Sequence, residues 1–350
     1  MVTECGTLTC SATAAQKYLI VSLGSIGRRH LCNLRTLRPK AQIGILRLTP
    51  IGVGEGLPEG ADIQFASIDE ALAFAPAAAI IASPASSHLE VALPLVRAGI
   101  PLLIEKPLAT TCIGLGELLD AAAGIPVMVA YNLRFLPSLV EARRLVHVGA
   151  IGEVLAVRAE VGQYLPTWRP GNLYQNTVSA RRALGGGALL ELSHEFDYLY
   201  WIFGLPTRVT ASGGQYSAME IDVEDLASVN LEYDAPRRLV HVHLDLLQRA
   251  TTRGCKFIGS EGTLRWDGIA DSLERFVPAT QEWRQVKTQA CSNRNEMYVA
   301  ELAHFLDCAA SGQIPLVDLR AAYDVMAIVD AARASIASQC SIKINGYGQD

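Results

Sequence analysis

"KYLIVSLGSIGRRHLCNLRTL", residues 17–37, decides the fold. "KYLIVSL" is an apolar run of strand length, and "IGRRHLCNLRTL" spaces its apolar residues as a helix does. Between them, "SLGSIG" fits the dinucleotide fingerprint G-x-G-x-x-G, with Ser22 in the first glycine position. In that pattern Gly24 lets the backbone approach a pyrophosphate, and Gly27 lets the helix pack on the strand. The phosphates would rest on the helix N-terminus, at Gly24, Ser25, Ile26 and Gly27, where free N–H groups and the dipole favour an anion. A turn whose glycines serve packing alone is the competing reading.

The next strand, "AQIGILRL", bears on which dinucleotide is taken. An Asp or Glu at its end would hold the ribose 2′-hydroxyl of NAD. Arg47 stands at about that place, with Arg28 and Arg29 one turn into the first helix. Guanidinium groups pair well with phosphate. The sequence therefore favours NADP(H), with NAD(H) the alternative and Arg47 then a solvated strand end.

Outward from this unit, apolar strands alternate with helices: "AAAIIASP", "IPLLIEKP" and "IPVMVAYNLRF" are the later strands. Ser67 with Glu70, and Ser87 with Glu90, stand in capping-box spacing at the starts of two of the helices. Continuous apolar strands separated by helices imply a doubly wound parallel sheet covered on both faces, over residues 17–134. From 135 to 350 the pattern changes. "GEVLAVRAEVGQYL", "TRVTASGGQY", "LASVNLEY", "RLVHVHLDLL" and "GCKFIGS" follow one another without helices, several with period two. This is the signature of a large open, mainly antiparallel sheet in a second α/β domain. Two helices, at about 295–311 and 318–338, close the chain. Residues 1–16 read as a frayed extension.

Composition narrows the partners. Of 350 residues, half are hydrophobic and 19% are charged, with a formal net charge of −5, so neither nucleic acid nor an anionic membrane is an expected partner. No apolar run reaches the length of a membrane span, and the N-terminus lacks the basic and apolar regions of a secretion signal. Eight scattered cysteines without a C-x-x-C pair point to reduced thiols in the cytoplasm. "HVH" at 241–243 alternates like a strand and has no neighbouring ligands, so no metal site is expected.

The segment "ALGGGALLELSHEFDYLYWIFG", 183–204, holds the most telling chemistry. At helical period, Ala188, Leu192, Phe196, Leu199 and Phe203 form an apolar stripe. Glu191, His194, Glu195 and Asp197 lie opposite, with Tyr198 and Trp201 continuing that face. Polar groups continued by aromatics suggest a cleft wall. His194, with an ordinary pKa of roughly 6.5, is a candidate general base, and Asp197, three residues on, is placed to orient it. A histidine satisfied by its own helix is the alternative. Tyr164, Trp168 and Arg169 in "GQYLPTWRPG" offer aromatic faces and a guanidinium for a sugar or an acidic group, or else fill a domain interface.

"GSIGRRH", "IEKP" at 104–107, "YNLRF" at 131–135 and "GGGALLELSHEFDY", in this order, resemble the glucose–fructose oxidoreductase / inositol dehydrogenase (Gfo/Idh/MocA) family over nearly the whole chain from residue 17. The resemblance implies a Rossmann domain followed by an α/β domain whose open sheet carries substrate or subunit contacts. It implies an NAD(P)-dependent oxidoreductase of sugars or cyclitols, assembled as a homodimer or homotetramer. The family's E-K-P falls on Glu105, Lys106 and Pro107, putting Lys106 against nicotinamide and substrate, where an ammonium polarises a carbonyl or donates to an alcohol. Its H-x-x-D falls on His194 and Asp197. The acidic residue it often carries four before the histidine would be Leu190, which leaves Glu191 without an assigned role. Asn132 and Arg134 match its substrate-contacting positions, and Ser83 and His88 its cofactor-bordering loop, although that loop's asparagine is missing. The "GGGALLELSHEFDYL" version looks most like members associated with surface-glycan sugars, which implies a nucleotide-linked or acidic sugar. Two other readings stay open: a glycosidase that oxidises its substrate transiently with bound NAD, and a dinucleotide-binding sensor without catalysis.

Overall fold

The computed structural model describes residues 15–48, 56–169, 171, 173–289 and 293–348. Most of the N-terminal extension, part of the glycine-rich loop after Arg47, and Pro170 and Asn172 lie outside them. The first sheet has six parallel strands: β1 (Lys17–Val21), β2 (Gln42–Leu46), β3 (Ile63–Phe65), β4 (Ala78–Ile81), β5 (Leu102–Glu105) and β6 (Val127–Ala130). Their order is β3-β2-β1-β4-β5-β6. It reverses direction between β1 and β4, which opens a crevice at the carboxyl ends of those strands. The strands do not alternate, because both faces are covered: Leu19, Ile20, Val21, Ile45, Ile80, Leu103 and Val129 are all buried.

Helices α1 (Ser25–Leu37), α2 (Ile68–Ala73), α3 (His88–Arg97) and α4 (Leu115–Ala121) connect these strands. The Ser67 hydroxyl accepts the Glu70 N–H at 3.2 Å, as its spacing predicts. Ser87 departs from expectation. Its hydroxyl turns back to the Ser83 hydroxyl and the Pro84 carbonyl, both at 2.9 Å, and does not cap α3.

A 3₁₀ turn at Asn132–Phe135 and α5 (Pro137–His147) lead into the second sheet. Its strands are β7 (Val154–Gly162), β8 (Arg208–Gly214), β9 (Leu226–Asp234), β10 (Arg237–Asp245), β11 (Thr252–Gly259), β12 (Thr263–Asp267), β13 (Ser272–Val277), β14 (Glu282–Gln285) and β15 (Ile342–Lys343). They run in the order β14-β13-β12-β11-β7-β10-β9-β8-β15. Every pairing is antiparallel except that of β7 with β10. One face buries Val157, Ala159, Val240, Val242 and Phe257; the opposite face carries Arg158, Glu160, His241, His243 and Lys256.

The segment 188–203 is not one helix. It divides into α6 (Ala188–Glu191) and α7 (His194–Phe203) at Leu192–Ser193. Consequently its polar side does not face a cleft as a continuous stripe: Glu195 and Asp197 are fully buried beside the apolar residues. Two further helices, α8 (Asn295–Ser311) and α9 (Leu319–Ser338), complete the chain. α8 packs on α1, and α9 packs on β8 and α7. Ahead of α9 the backbone rejoins the first sheet: the Val129 N–H donates to the Val317 carbonyl at 3.0 Å, and Met128 bridges Asp318.

Candidate active site

The fingerprint turn is built as its residues require. Gly27 lies buried where α1 meets β1, and a Cβ there would sit 2.3 Å from the Ser22 carbonyl oxygen. Only glycine permits that approach. Gly24 differs, since a Cβ there would meet no atom of the described residues within 4 Å. Its bareness therefore serves no internal packing and leaves room for a ligand. Ser22 takes the left-handed backbone of the glycine it replaces, at φ 72°, and its N–H is held by the Leu46 carbonyl at 2.8 Å. Among the described residues no side chain caps α1, so its first N–H groups are left unpaired by side chains at the crevice. Bare backbone, open helix start and switch-point position all fit a dinucleotide pyrophosphate.

Gly24, Ser25 and Ile26 line a cleft of about 410 Å³ together with Ser83, Glu105, Lys106, Asn132, Arg169 and His194. The two halves of the chain thus supply one site. Lys106 follows the end of β5, and its Nζ donates to the Glu191 carbonyl at 2.9 Å with the Glu191 carboxylate at 3.5 Å. Glu191 is therefore the lysine's anchor, a position the family pattern left unassigned. Glu105 lines the cleft too, but its Oε1 is 2.7 Å from His30 Nε2, which ties the loop to α1.

His194 opens α7 with its Nδ1 buried and, among the described residues, without a hydrogen-bond partner, its ring edge-on to Tyr131 at 5.5 Å. The Tyr131 hydroxyl donates to the neighbouring Ser193 hydroxyl at 3.2 Å. Burial pushes the imidazole well below its usual pKa of 6.5, and the charges of Arg253, Lys106 and Arg294 add to this. Beside it, the Glu195 carboxylate lies 2.9 Å from Arg253 of β11. Burial nevertheless pushes the Glu195 carboxyl up to about 7, against the pull of that arginine.

Other expected site residues lie elsewhere. Asp197 does not orient His194, because Arg134 takes its carboxylate through three contacts of 2.7–3.1 Å. The same contacts account for Arg134, which also donates to the Leu316 carbonyl and is only 3% exposed. Neither reaches the cleft. His88 is buried and bonded to the Ser83, Pro107 and Leu108 carbonyls, bracing the two loops rather than bordering the cofactor space. Tyr164 lies under the Arg249 guanidinium, and Trp168 packs by Leu165 and Tyr174. Arg28 is exposed on α1 and Arg47 half-buried after β2, neither on the cleft wall. Sequence reasoning missed Tyr298 as a cleft residue; it lies under Arg29 at 4.4 Å, and both line the cleft. No local signal ties a tyrosine so far along the chain to the first helix.

The crevice and cleft define a dinucleotide-dependent oxidoreductase. Residues 16–133 match the family model "Oxidoreductase family, NAD-binding Rossmann fold", and 139–265 match the "GFO/IDH/MocA C-terminal domain". The chain belongs to the GFO/IDH/MocA family and is an NAD-binding oxidoreductase. It is 30% identical over 261 residues to trans-1,2-dihydrobenzene-1,2-diol dehydrogenase of Xenopus tropicalis, covering 70% of this chain and 74% of that protein. It is 26% identical over 337 residues to inositol 2-dehydrogenase 2 of Saccharopolyspora erythraea, covering 91% and 92%. The structure of a levoglucosan dehydrogenase in complex with NADH and L-sorbose shares the fold, with a TM-score of 0.83 at 19% identity over 95% of this chain and 99% of that one. Among the described residues, no helix is long and apolar enough to cross a membrane.

Proposed function

We propose that the protein catalyses hydride transfer between NADP(H) and a hydroxyl- or keto-bearing carbon of a sugar or sugar derivative, with Lys106 and His194 handling the oxygen. The observation that carries this is their meeting in one cleft with the fingerprint turn. Gly24, Ser25 and Ile26 would hold the pyrophosphate, and Asn132 borders the substrate end. The bound nicotinamide supplies the hydride acceptor or donor. His194, neutral at working pH because burial depresses its pKa, takes the hydroxyl proton, or returns it in reduction. The Lys106 ammonium, anchored by Glu191, donates a hydrogen bond to the same oxygen and steadies developing negative charge. The names of the relatives, diol and inositol dehydrogenases, support a hydroxyl-bearing substrate.

Arg47, which follows β2, and Arg28, in the first turn of α1, support the NADP(H) preference through the pairing of guanidinium with phosphate, although neither lines the cleft itself. The reading sets the enzyme in the cytoplasm, with residues 17–134 as its cofactor domain and 135–350 as its substrate and assembly domain. It assembles as a homodimer or homotetramer through the polar sheet face, where Arg158, Glu160, His241 and His243 line a groove of about 650 Å³.

The test is a sugar panel assayed with NADP⁺ and NAD⁺, alongside fluorescence titration with NADPH and NADH. Lys106→Met and His194→Asn should each retain cofactor binding and lose at least about 100-fold in kcat. Tighter NADPH binding that disappears in Arg47→Ala supports the preference; tighter NADH binding refutes it. Activity that survives both active-site substitutions refutes the mechanism.

A further inference from the structure

A general base must present its lone pair in one direction, and the terminal torsion of a histidine is broad unless a neighbour narrows it. The usual neighbour is a carboxylate or carbonyl bonded to the second ring nitrogen. His194 lacks one: its Nδ1 is buried and, among the described residues, has no hydrogen-bond partner. The carboxylate that spacing offered, Asp197, is taken up by Arg134. What meets the imidazole is the ring of Tyr131, T-shaped to it, with centroids 5.5 Å apart and planes at 83°. Aromatic rings prefer this arrangement because the positive edge of one faces the negative face of the other.

Tyr131 is itself held from two sides. Its backbone carries β6 into the 3₁₀ turn, where its carbonyl accepts the Arg134 N–H at 3.1 Å. Its side chain is fully buried, and burial pushes the phenol above its ordinary pKa of 10, so the hydroxyl stays protonated. That hydroxyl donates to Ser193, also fully buried, at the break between α6 and α7 from which His194 departs. One side chain of the cofactor half thus meets both the imidazole and the residue behind it in the other half. We propose that Tyr131 is a positioning residue for hydride transfer: its ring sets the angle of the His194 imidazole in the cleft, the part a carboxylate plays elsewhere. The proposal rests on the hydride-transfer reading. A ring also differs from a carboxylate in charge. It fixes the base without favouring the imidazolium, so His194 stays neutral while sharing the cleft with Lys106.

The experiment uses the full-length enzyme on the best sugar of the panel, below the Tm of every variant. Tyr131→Met removes the ring and fills most of its space with a flexible apolar chain; Tyr131→Leu serves where that variant fails to fold. Tyr131→Phe keeps the ring. Histidine-selective NMR of the substrate-free protein gives a second readout, with the His194 signal identified by its loss in His194→Asn. The ring-less variant should lose at least about 10-fold in kcat, with KM for the sugar and for NADP(H) within about twofold. Its His194 signal should broaden or split as the imidazole samples more than one angle. Tyr131→Phe should restore kcat to within about threefold of wild type, with a single sharp signal. Unchanged kcat in the ring-less variant, whatever its Tm, overturns the proposal and leaves hydride transfer standing, as does a His194 signal that remains single and sharp. Equal losses in the Phe and Met variants assign the effect to the hydroxyl and overturn it too. No turnover by the wild type on any sugar, with NADPH bound, overturns the hydride-transfer reading and this role within it.

Discussion

Asp197→Asn separates two roles for one carboxylate. The structure gives it to Arg134, at 2.7–3.1 Å, with side-chain exposures of 3% for the arginine and 0% for the aspartate. Asparagine keeps the shape and removes the charge, which strands a buried guanidinium. Breaking such a pair costs about 3–5 kcal/mol. Unfolding entropy is about 2.1 cal/mol/K per residue, so for 350 residues Tm should fall by about 4–7 °C. Thermal unfolding measured beside kcat, well below Tm, reads both quantities. The expected outcome is a lowered Tm with kcat within about threefold of wild type, because the Asp197 carboxylate is held by Arg134 and does not line the cleft. Replacing both partners by apolar residues should cost less than the two single changes summed. An unchanged Tm with a collapsed kcat would refute this reasoning and return Asp197 to the histidine.

The remaining predictions concern the turn and the histidine. Gly27→Ala forces a Cβ to 2.3 Å from the Ser22 carbonyl, so it should cost about 1–3 kcal/mol and weaken NADPH binding. Gly24→Ala should leave Tm unchanged and weaken only the binding, as calorimetry and fluorescence titration would reveal. Ser22→Gly relieves a φ of 72° and should raise stability by up to about 1 kcal/mol, read by urea unfolding. His194 and His88 are held neutral by burial, so below pH 6.5 the unfolded chain takes up protons that the folded chain refuses. Their contribution to stability is therefore complete above pH 6.5 and declines as pH falls beneath it. The acid limb of kcat/KM should lie below pH 6.5. Arg253→Gln removes a cation that depresses His194 and should move that limb upward; a limb that stays put would count against the assignment.

The cofactor half was legible because its strands are buried on both faces and so appear as plain apolar runs. β13 and β14 were not: "SLERFV" and "EWRQ" are largely exposed or half-exposed and carry little apolar alternation. Within 188–203, periodicity separated polar from apolar positions correctly yet misjudged where the polar ones go. Glu195 and Asp197 turn to Arg253 and Arg134, buried partners far away in the chain. A spacing argument cannot distinguish a carboxylate facing water from one facing a distant guanidinium. Lys106 and His194 were readable, since motifs at strand ends and helix starts are local. Arg29 and Tyr298 meet only through tertiary packing, so nothing local announced their pairing.

The return of the chain at Val317 and Asp318 to the edge of β6 bears on how such enzymes recombine. A graft that moves the nucleotide-binding portion into a relative by cutting after β6 would leave behind the peptide that seals its last strand. The exposed edge would offer free N–H and C=O groups to any neighbouring chain. A workable chimera must carry the short stretch before α9 with the first sheet, so the natural unit of exchange is discontinuous in sequence.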